Sequence, residues 1–302
     1  MPKRVAITGS SGLIGSALRE RLRARGDTVV ALVRRTPEHP DEVGWDPHTR
    51  ELDPAVLDGV DAVVNLAGAG VGDARWTAKY RRLIVDSRTD STYAVARAIA
   101  ATGRPVRLVS GSAVGYYGDR GEELLDEASA AGTGGFLSEV VRAWEASTKP
   151  AMDAGAPVAF ARTGLVLDRR HGALARMLPL ARLGLAGPLG SGRQWWPWIS
   201  ITDEARALVH LIDDVEVTGP VNLTAPNPAR QKDIAAALGK VLRRPAFLPA
   251  PAIALRTVLG GFASDILAST RAVPTRLLES GFTFEHDDVT AALAELVTPR
   301  PS

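Results

Sequence analysis

Arg4-Val5-Ala6-Ile7-Thr8 followed by Gly9-Ser10-Ser11-Gly12-Leu13-Ile14-Gly15 is the stretch that decides the fold of this chain. An apolar strand passes into a glycine turn, and residues 16–25 continue as an Ala/Leu/Arg-rich helix. Such glycines permit a sharp turn, close approach of a pyrophosphate and close packing of the helix on the strand. The N–H groups that begin the helix attract phosphate. We therefore predict an α/β fold, a Rossmann-type doubly wound parallel sheet, with a dinucleotide held at Gly9–Gly15.

Length and composition bound the remaining possibilities. The 302 residues are 45% hydrophobic and 23% charged, enough to bury a full core in one large or two modest domains. Cysteine is absent, which excludes disulfides, thiolate metal sites and a cysteine nucleophile. The net charge is +2 and the basic pairs are scattered, so no nucleic-acid partner is expected.

No apolar run is long enough to span a membrane, and the N-terminus lacks the apolar segment of a signal peptide. We therefore expect a cytoplasmic protein with no membrane partner, either a monomer or a homodimer.

The five histidines are widely separated, so no metal site is expected. A Gly-x-Ser-x-Gly elbow and a P-loop lysine are also missing, which leaves hydride chemistry on a nicotinamide.

The residues after the second predicted strand, 28–33, favour one nicotinamide cofactor over the other. An NAD site places Asp or Glu there to bind the ribose 2′-hydroxyl, whereas this chain has Arg34 and Arg35 and no acid until Glu38. Two arginines fit a 2′-phosphate, so we predict NADP (NADPH) as the cofactor. The alternative is that both are ordinary surface residues.

Two further buried strands end in small or polar residues, where ligands bind in open α/β sheets. The strand at 61–65 ends in Asn65-Leu66-Ala67-Gly68, and the strand at 106–109 ends in Ser110-Gly111-Ser112. Tyr116 and Tyr117 lie just beyond. We expect Ser112 to polarise a carbonyl of a small-molecule substrate and one of the two tyrosines to donate a proton.

The stretch Gln194-Trp195-Trp196-Pro197-Trp198 follows a glycine-rich loop and Arg193. We predict that Gln194, Trp196 and Trp198 line the far wall of a substrate pocket between two lobes and exclude water, which suits an apolar or aromatic substrate. The alternative is plain core packing at a domain junction.

The pattern predicts one helix over Phe136–Met152 and a buried strand over Pro157–Leu167. From these elements we place an NADP-binding Rossmann domain at 1–165, to which a strand near 221–224 returns. A smaller, discontinuous substrate lobe then covers 166–302.

Several motifs together resemble an extended short-chain dehydrogenase/reductase. They include the glycine turn, Asn65–Gly68, Tyr117-Gly118-Asp119 after the serine-bearing strand, and residues 199–205. More narrowly, residues 142–145, 162–167 and 187–192 resemble an atypical subgroup of the NAD-dependent epimerase/dehydratase family that carries a small C-terminal extension, here about 250–299. The resemblance implies that the cofactor site also includes Ser110, Gly111, Arg162, Thr163 and Gly164.

One departure from that family leaves the function open. Most members have Tyr-x-x-x-Lys, whose lysine lowers the tyrosine pKa and binds the nicotinamide ribose, but no tyrosine here has that lysine. Where the pair would fall, the chain has Phe136 and Val140. We therefore keep two hypotheses: an NADP(H)-dependent oxidoreductase or epimerase-like enzyme acting on a small carbonyl or sugar-like substrate, and a non-catalytic NADP(H)-binding sensor or interaction protein, since some relatives are labelled cell-division inhibitor.

Overall fold

The computed structural model describes residues 1–297. Helices and strands alternate along the first half of the chain, as expected for parallel strands joined by helical crossovers. The strands are β1 Arg4–Thr8, β2 Thr28–Val33, β3 Glu42–Gly44, β4 Ala62–Asn65, β5 Arg107–Ala113, β6 Leu124–Leu125, β7 Val158–Thr163, β8 Leu165–Leu167, β9 Trp195–Trp196, β10 Trp198–Ser200, β11 Gly219–Leu223, β12 Ala229–Arg230 and β13 Arg271–Ala272.

Helices of very different length separate these strands. The helices are α1 Leu13–Arg25, α2 Ala78–Ala101, α3 Phe136–Ala146, α4 Lys149–Asp153, α5 Gly172–Arg182, α6 Ile201–Asp213, α7 Gln231–Leu242, α8 Ala252–Leu259, α9 Ala263–Leu267, α10 Thr275–Glu279 and α11 Val289–Val297. Among the described residues, no helix is both long and apolar enough to cross a bilayer.

Seven strands form one parallel sheet in the order β11-β7-β5-β4-β1-β2-β3, which confirms the predicted Rossmann-type fold. Its central strands are buried apolar runs, as parallel strands covered on both faces require. The register pairs Thr8 with Asn65 and Asn65 with Ser110. The carboxyl ends of β1, β4 and β5 therefore present these three polar residues side by side.

The chain divides into two compact units, each with its own core. The first contains residues 1–113, 139–162 and 205–221, and its core includes Val63, Ile99 and Leu108. The second contains residues 114–138, 163–204 and those from 222 onward, and its core is formed around Trp198 and Leu238. The end of the predicted lobe and extension, residues 298–302, lies outside the described residues.

The helix predicted over residues 136–152 is divided into α3 and α4. Pro150 occupies the first turn of α4. A proline in a helix interior would remove one hydrogen bond and clash with the carbonyl of Ala146, the fourth residue before it, so α3 ends there. The Thr148 hydroxyl donates to the carbonyl of Glu145 at 2.7 Å. This bond gives a partner to one of the backbone carbonyls in the last turn of α3, which have no acceptor role inside the helix.

Candidate functional site

The glycine turn between β1 and α1 accepts only glycine at two positions. Gly9 has a φ of +66°, and a Cβ atom there would lie 2.8 Å from the Leu66 carbonyl carbon. A Cβ atom at Gly15 would lie 2.2 Å from the Gly9 carbonyl oxygen. Gly9 therefore keeps the turn close to the segment that follows β4, and Gly15 keeps α1 close to the turn.

The N-terminus of α1 has the features of an anion site. Gly12 occupies the cap position and supplies no side-chain cap, and the first turn contains no acidic residue. Ser16 N–H donates to the Gly12 carbonyl at 2.9 Å, so the N–H groups of Leu13, Ile14 and Gly15 point out of the helix end. Such N–H groups, together with the positive end of the helix dipole, bind phosphate.

The two arginines after β2 have different surroundings. Arg35 forms a two-point ion pair with Glu42, at 2.9 and 2.7 Å. The backbone N–H of Glu38 and the Arg35 guanidinium hold the pKa of the Glu42 carboxyl below its usual value. Arg34 is exposed and makes no hydrogen bond or ion pair within residues 1–297. Of the two predicted phosphate ligands, only Arg34 has an uncommitted guanidinium.

A buried hydrogen-bond network fixes the carboxyl end of β4. The Thr8 hydroxyl accepts from the N–H groups of Leu66 and Ala67 at 3.0 Å and donates to the Asn65 side chain at 2.5 Å. The Asn65 amide donates to the Thr92 hydroxyl at 2.7 Å, and the Trp144 indole N–H donates to the same hydroxyl at 2.9 Å. Thr8 therefore holds the backbone that leads to Gly68, and Asn65 orients the Thr8 hydroxyl.

Thr92 and Trp144 are absent from the set of residues predicted from sequence. Trp144 also packs on the end of β5, where a Cβ atom on Gly111 would lie 2.8 Å from its ring. Ser110 is fully buried, and its hydroxyl donates to the Gly111 carbonyl at 3.2 Å. The residue type at position 111 is therefore set by the packing of a tryptophan from α3.

Ser112 belongs to a charged network in the same unit. Its hydroxyl donates to Oε1 of Glu145 at 2.7 Å. The Arg162 guanidinium donates to Oε1 at 2.8 Å and to Oε2 at 3.0 Å. The Arg162 and Glu145 side chains are only 4% and 12% exposed. Sequence reasoning missed Glu145, because a carboxylate in a helix gives no local sign of its partners.

Thr163 and Gly164 lie in the second unit. The Thr163 hydroxyl donates to Oε1 of Glu204 at 2.8 Å, and Oε2 of that carboxyl has no hydrogen-bond partner among the described residues. Glu204 is fully buried, and this desolvation raises its pKa to about 8. A Cβ atom at Gly164 would lie 2.2 Å from the Pro197 carbonyl oxygen, which restricts that position to glycine.

The two candidate tyrosines also belong to the second unit. Tyr117 is fully buried, and its hydroxyl donates to Oδ1 of Asn222 at 2.8 Å. Tyr116 is partly exposed, and its ring meets that of Tyr117 edge to face at 5.3 Å. Only Tyr116 combines a phenol with access to solvent.

The polar groups of the three predicted wall residues bind backbone carbonyls. Gln194 donates to the Leu189 carbonyl at 3.0 Å, Trp196 to that of Ile266 at 3.1 Å, and Trp198 to that of Asn227 at 3.0 Å. Each of the three side chains is less than a tenth exposed. Their role in substrate binding stays a prediction.

Trp195 is the tryptophan of this stretch that reaches the surface. The guanidinium groups of Arg230 and Arg271 stack on its ring at 4.4 and 4.6 Å. It also borders an open cavity of about 410 Å³ in the second unit, which contains none of the residues predicted to bind cofactor or substrate.

Within residues 1–297 there is no group of three His, Cys, Asp or Glu residues able to hold a metal ion.

Two family models match the chain. Residues 5–223 match the NAD dependent epimerase/dehydratase family, and residues 250–296 match a domain of unknown function, DUF1731. The second match coincides with most of the predicted C-terminal extension.

Similar proteins occur in bacteria and animals. An epimerase family protein of Mycobacterium bovis, Mb2239, is 44% identical over 298 residues, covering 98% of each chain. The human epimerase family protein SDR39U1 is 37% identical, covering 97% of this chain and 99% of its own.

Two solved structures are also similar. The crystal structure of human SDR39U1 (isoform 2) with NADPH matches with a TM-score of 0.90 and 34% identity, covering 97% of this chain and 98% of that one. A nucleoside-diphosphate sugar epimerase from Corynebacterium glutamicum matches with a TM-score of 0.80 and 38% identity, covering 98% of this chain and 58% of that one. The resemblance noted from sequence is confirmed, and the chain belongs to the NAD dependent epimerase/dehydratase family, with a DUF1731 domain at its C-terminal end.

Proposed function

We propose that this chain is a cytoplasmic NADP(H)-dependent oxidoreductase that acts on a small carbonyl or sugar-like substrate. The observation that carries the proposal is the uncapped N-terminus of α1 after a turn in which Gly9 and Gly15 leave no room for a Cβ atom. A pyrophosphate fits this turn, and the uncommitted Arg34 favours a 2′-phosphate over a free 2′-hydroxyl. The crystal structure of the human relative with NADPH supports the same cofactor.

The cofactor, when bound, supplies or accepts a hydride. Gly9–Gly15 would hold its pyrophosphate, Arg34 its 2′-phosphate, and the segment Asn65–Gly68 with Ser110 and Gly111 would border the rest of it. Arg162, Thr163 and Gly164 complete the set proposed from the family resemblance.

The hydrogen bond from Ser112 to Glu145 sets the role that we propose for the serine. Because a carboxylate can only accept, the Ser112 hydrogen points to Glu145 and the oxygen lone pairs are left for substrate. Ser112 would then accept a hydrogen bond from a substrate hydroxyl. Ser112 would thereby position the substrate, and the one proton that accompanies hydride transfer would be exchanged by a tyrosine. Arg162 holds the carboxylate in place throughout.

Of the two tyrosine candidates, Tyr116 fits a proton donor better than Tyr117. The hydrogen of Tyr117 is used in the bond to Asn222, and its hydroxyl is buried. Gln194, Trp196 and Trp198 remain the proposed substrate-binding residues, with the two tryptophans as the apolar wall.

A non-catalytic NADP(H) sensor is the second candidate. The observation that favours it is the lack of Tyr-x-x-x-Lys, since no tyrosine of this chain has a lysine four residues on. In this case the cofactor would bind without turnover, and the Ser112–Glu145–Arg162 network would only stabilise the unit.

Binding and turnover distinguish the candidates. NADPH and NADH should first be titrated by nicotinamide fluorescence, where we expect tighter binding of NADPH. Carbonyl compounds with NADPH and alcohols with NADP⁺ should then be screened by nicotinamide absorbance, for the wild type and for Ser112→Ala. Turnover lost in Ser112→Ala with NADPH affinity retained supports the enzyme. NADPH binding without turnover of any compound supports the sensor, and failure to bind NADPH contradicts both.

A further inference from the structure

The second unit exposes large apolar side chains on one part of its surface. Phe247, Ile253 and Val258 are 78%, 76% and 69% exposed, and Leu183 is 71% exposed. None of the residues of α8 is buried, although six of its eight are apolar. Scattered exposed apolar residues are ordinary, but a continuous group of this kind marks an interaction surface.

Backbone contacts show that these side chains come from neighbouring segments. The N–H of Gly190 donates to the Ala250 carbonyl, and the N–H of Ala250 donates to the Pro188 carbonyl, both at 2.8 Å. Arg244 Nε donates to the Arg182 carbonyl at 3.0 Å. The loop after α5 therefore runs beside residues 244–250, and α8 follows directly. We call this surface the α8 patch; its exposed apolar members are Leu183, Leu185, Phe247, Leu248, Ile253 and Val258.

The segments that form the α8 patch carry charge of one sign. Residues 169–202 contain five arginines and residues 234–264 contain one lysine and three arginines, whereas neither range contains Asp or Glu. The arginines beside the patch are all exposed: Arg182, Arg243, Arg244 and Arg256. The first carboxylate after α8 is that of Asp265, in α9.

We propose that the α8 patch binds the surface of an anionic lipid bilayer. Helices that lie in a membrane interface combine an apolar face with Lys and Arg, and insert that face at the boundary of the headgroups. Phe247, Ile253 and Val258 provide the inserting groups, and the arginines provide contacts to lipid phosphates. A second copy fits less well, because a two-fold interface built on one patch would bring like-charged arginines together.

This proposal revises the expectation that the protein has no membrane partner. That expectation came from the lack of an apolar run long enough to span a bilayer. Length is the criterion for a spanning helix, whereas an interfacial helix is recognised by its exposed apolar face and its flanking charge. The exposure of α8 became visible only in the folded chain.

Vesicle sedimentation of the full chain tests the proposal. We expect the wild type to sediment with vesicles of phosphatidylcholine and phosphatidylglycerol, and much less with phosphatidylcholine alone. Phe247→Glu combined with Ile253→Glu should weaken binding about tenfold or more, because carboxylates replace inserting groups. Val215→Glu combined with Leu278→Glu is the matched control, since both residues are exposed and apolar but lie outside the patch. This control should bind as the wild type does.

A second variant separates charge from insertion. Arg243→Ala combined with Arg244→Ala should weaken binding about fivefold for each arginine removed, and added salt should weaken wild-type binding in the same way. Circular dichroism and NADPH affinity should match the wild type in every patch variant, which excludes unfolding as the cause.

Two results would overturn the proposal. One is a wild type that sediments with neither vesicle, or equally with both. The other is a dimer in sedimentation velocity that the Phe247→Glu/Ile253→Glu variant dissociates, because the patch would then be covered by a second copy. Neither result depends on the oxidoreductase activity.

Discussion

Ser112 Oγ and Glu145 Oε1 lie 2.7 Å apart, and the serine is the donor. The serine ends a strand of the sheet and the glutamate lies in the last turn of α3, so the pair depends on the packing of α3 against the sheet. Arg162 completes it from the neighbouring strand β7. The Glu145 carboxylate therefore has two roles. It stabilises the folded protein by pairing with the buried Arg162, and it orients the Ser112 hydrogen on which the proposed chemistry depends.

Glu145→Gln should destabilise the protein by about 3–5 kcal/mol, the usual range when one member of a buried ion pair is removed. The change leaves the buried Arg162 guanidinium without a counter-charge. Urea unfolding monitored by circular dichroism measures the loss. Combining Glu145→Gln with Arg162→Met should recover part of it, and additive losses in this double-mutant cycle would mean that the two residues do not interact.

Arg34→Ala should weaken NADPH binding about tenfold or more and leave NADH binding unchanged, since a charge-assisted bond to phosphate contributes about 1.5–3 kcal/mol. Arg35 is the matched control, because its guanidinium is bound to Glu42. Arg35→Ala should change NADPH affinity little. Fluorescence titration measures both cofactors, and equal losses for NADPH and NADH in Arg34→Ala would show that this arginine does not bind the 2′-phosphate.

The features that sequence could predict are local ones. The glycine turn, the apolar strands and the polar ends of β4 and β5 each depend on residues a few positions apart, and the doubly wound parallel sheet is predicted from them. The prediction of one helix over 136–152 was wrong, because Pro150 lies in the first turn of a second helix. Pro150 is a local signal, but the apolar periodicity continues across it and favoured a single helix. The single strand predicted over 157–167 was also wrong, because the chain divides at Gly164 into β7 and β8, and only β7 belongs to the seven-stranded sheet. Both errors concern boundaries and leave that sheet unaffected.

The partners of the candidate site could not be predicted, because they lie far apart in sequence. Ser112 and Glu145 are 33 residues apart, and Tyr117 and Asn222 are 105 apart. No periodicity or spacing relates such residues in a single sequence. Sequence reasoning could therefore name Ser112, but only the fold shows that its hydrogen is given to a carboxylate, which changes its expected role from donor to acceptor.

Tyr117→Phe should lower the free energy of unfolding by about 1–3 kcal/mol, because Asn222 would keep a buried acceptor without its donor. Tyr116→Phe should have a smaller effect on stability, since Tyr116 is partly exposed. Thermal unfolding of both variants provides the comparison. If Tyr116 is the proton donor, as proposed, turnover should fall in Tyr116→Phe; a fall only in folded Tyr117→Phe would assign the donor to Tyr117 instead.

The buried carboxyl of Glu204 should make stability depend on pH. Its folded pKa is raised to about 8 from 4.5, because burial disfavours the charged form. Between these values the folded state binds more protons than the unfolded state, so stability should fall by up to about 1.4 kcal/mol per pH unit as pH rises towards 8, and then level off. Glu204→Gln should remove this slope and be most stabilising near pH 8. Glu216→Gln, at an exposed position, is the control. Urea unfolding across this pH range measures the slope. If the free energy of unfolding of Glu204→Gln depends on pH in the same way as that of the wild type, this carboxyl has the same pKa in the folded and unfolded states and the prediction is wrong.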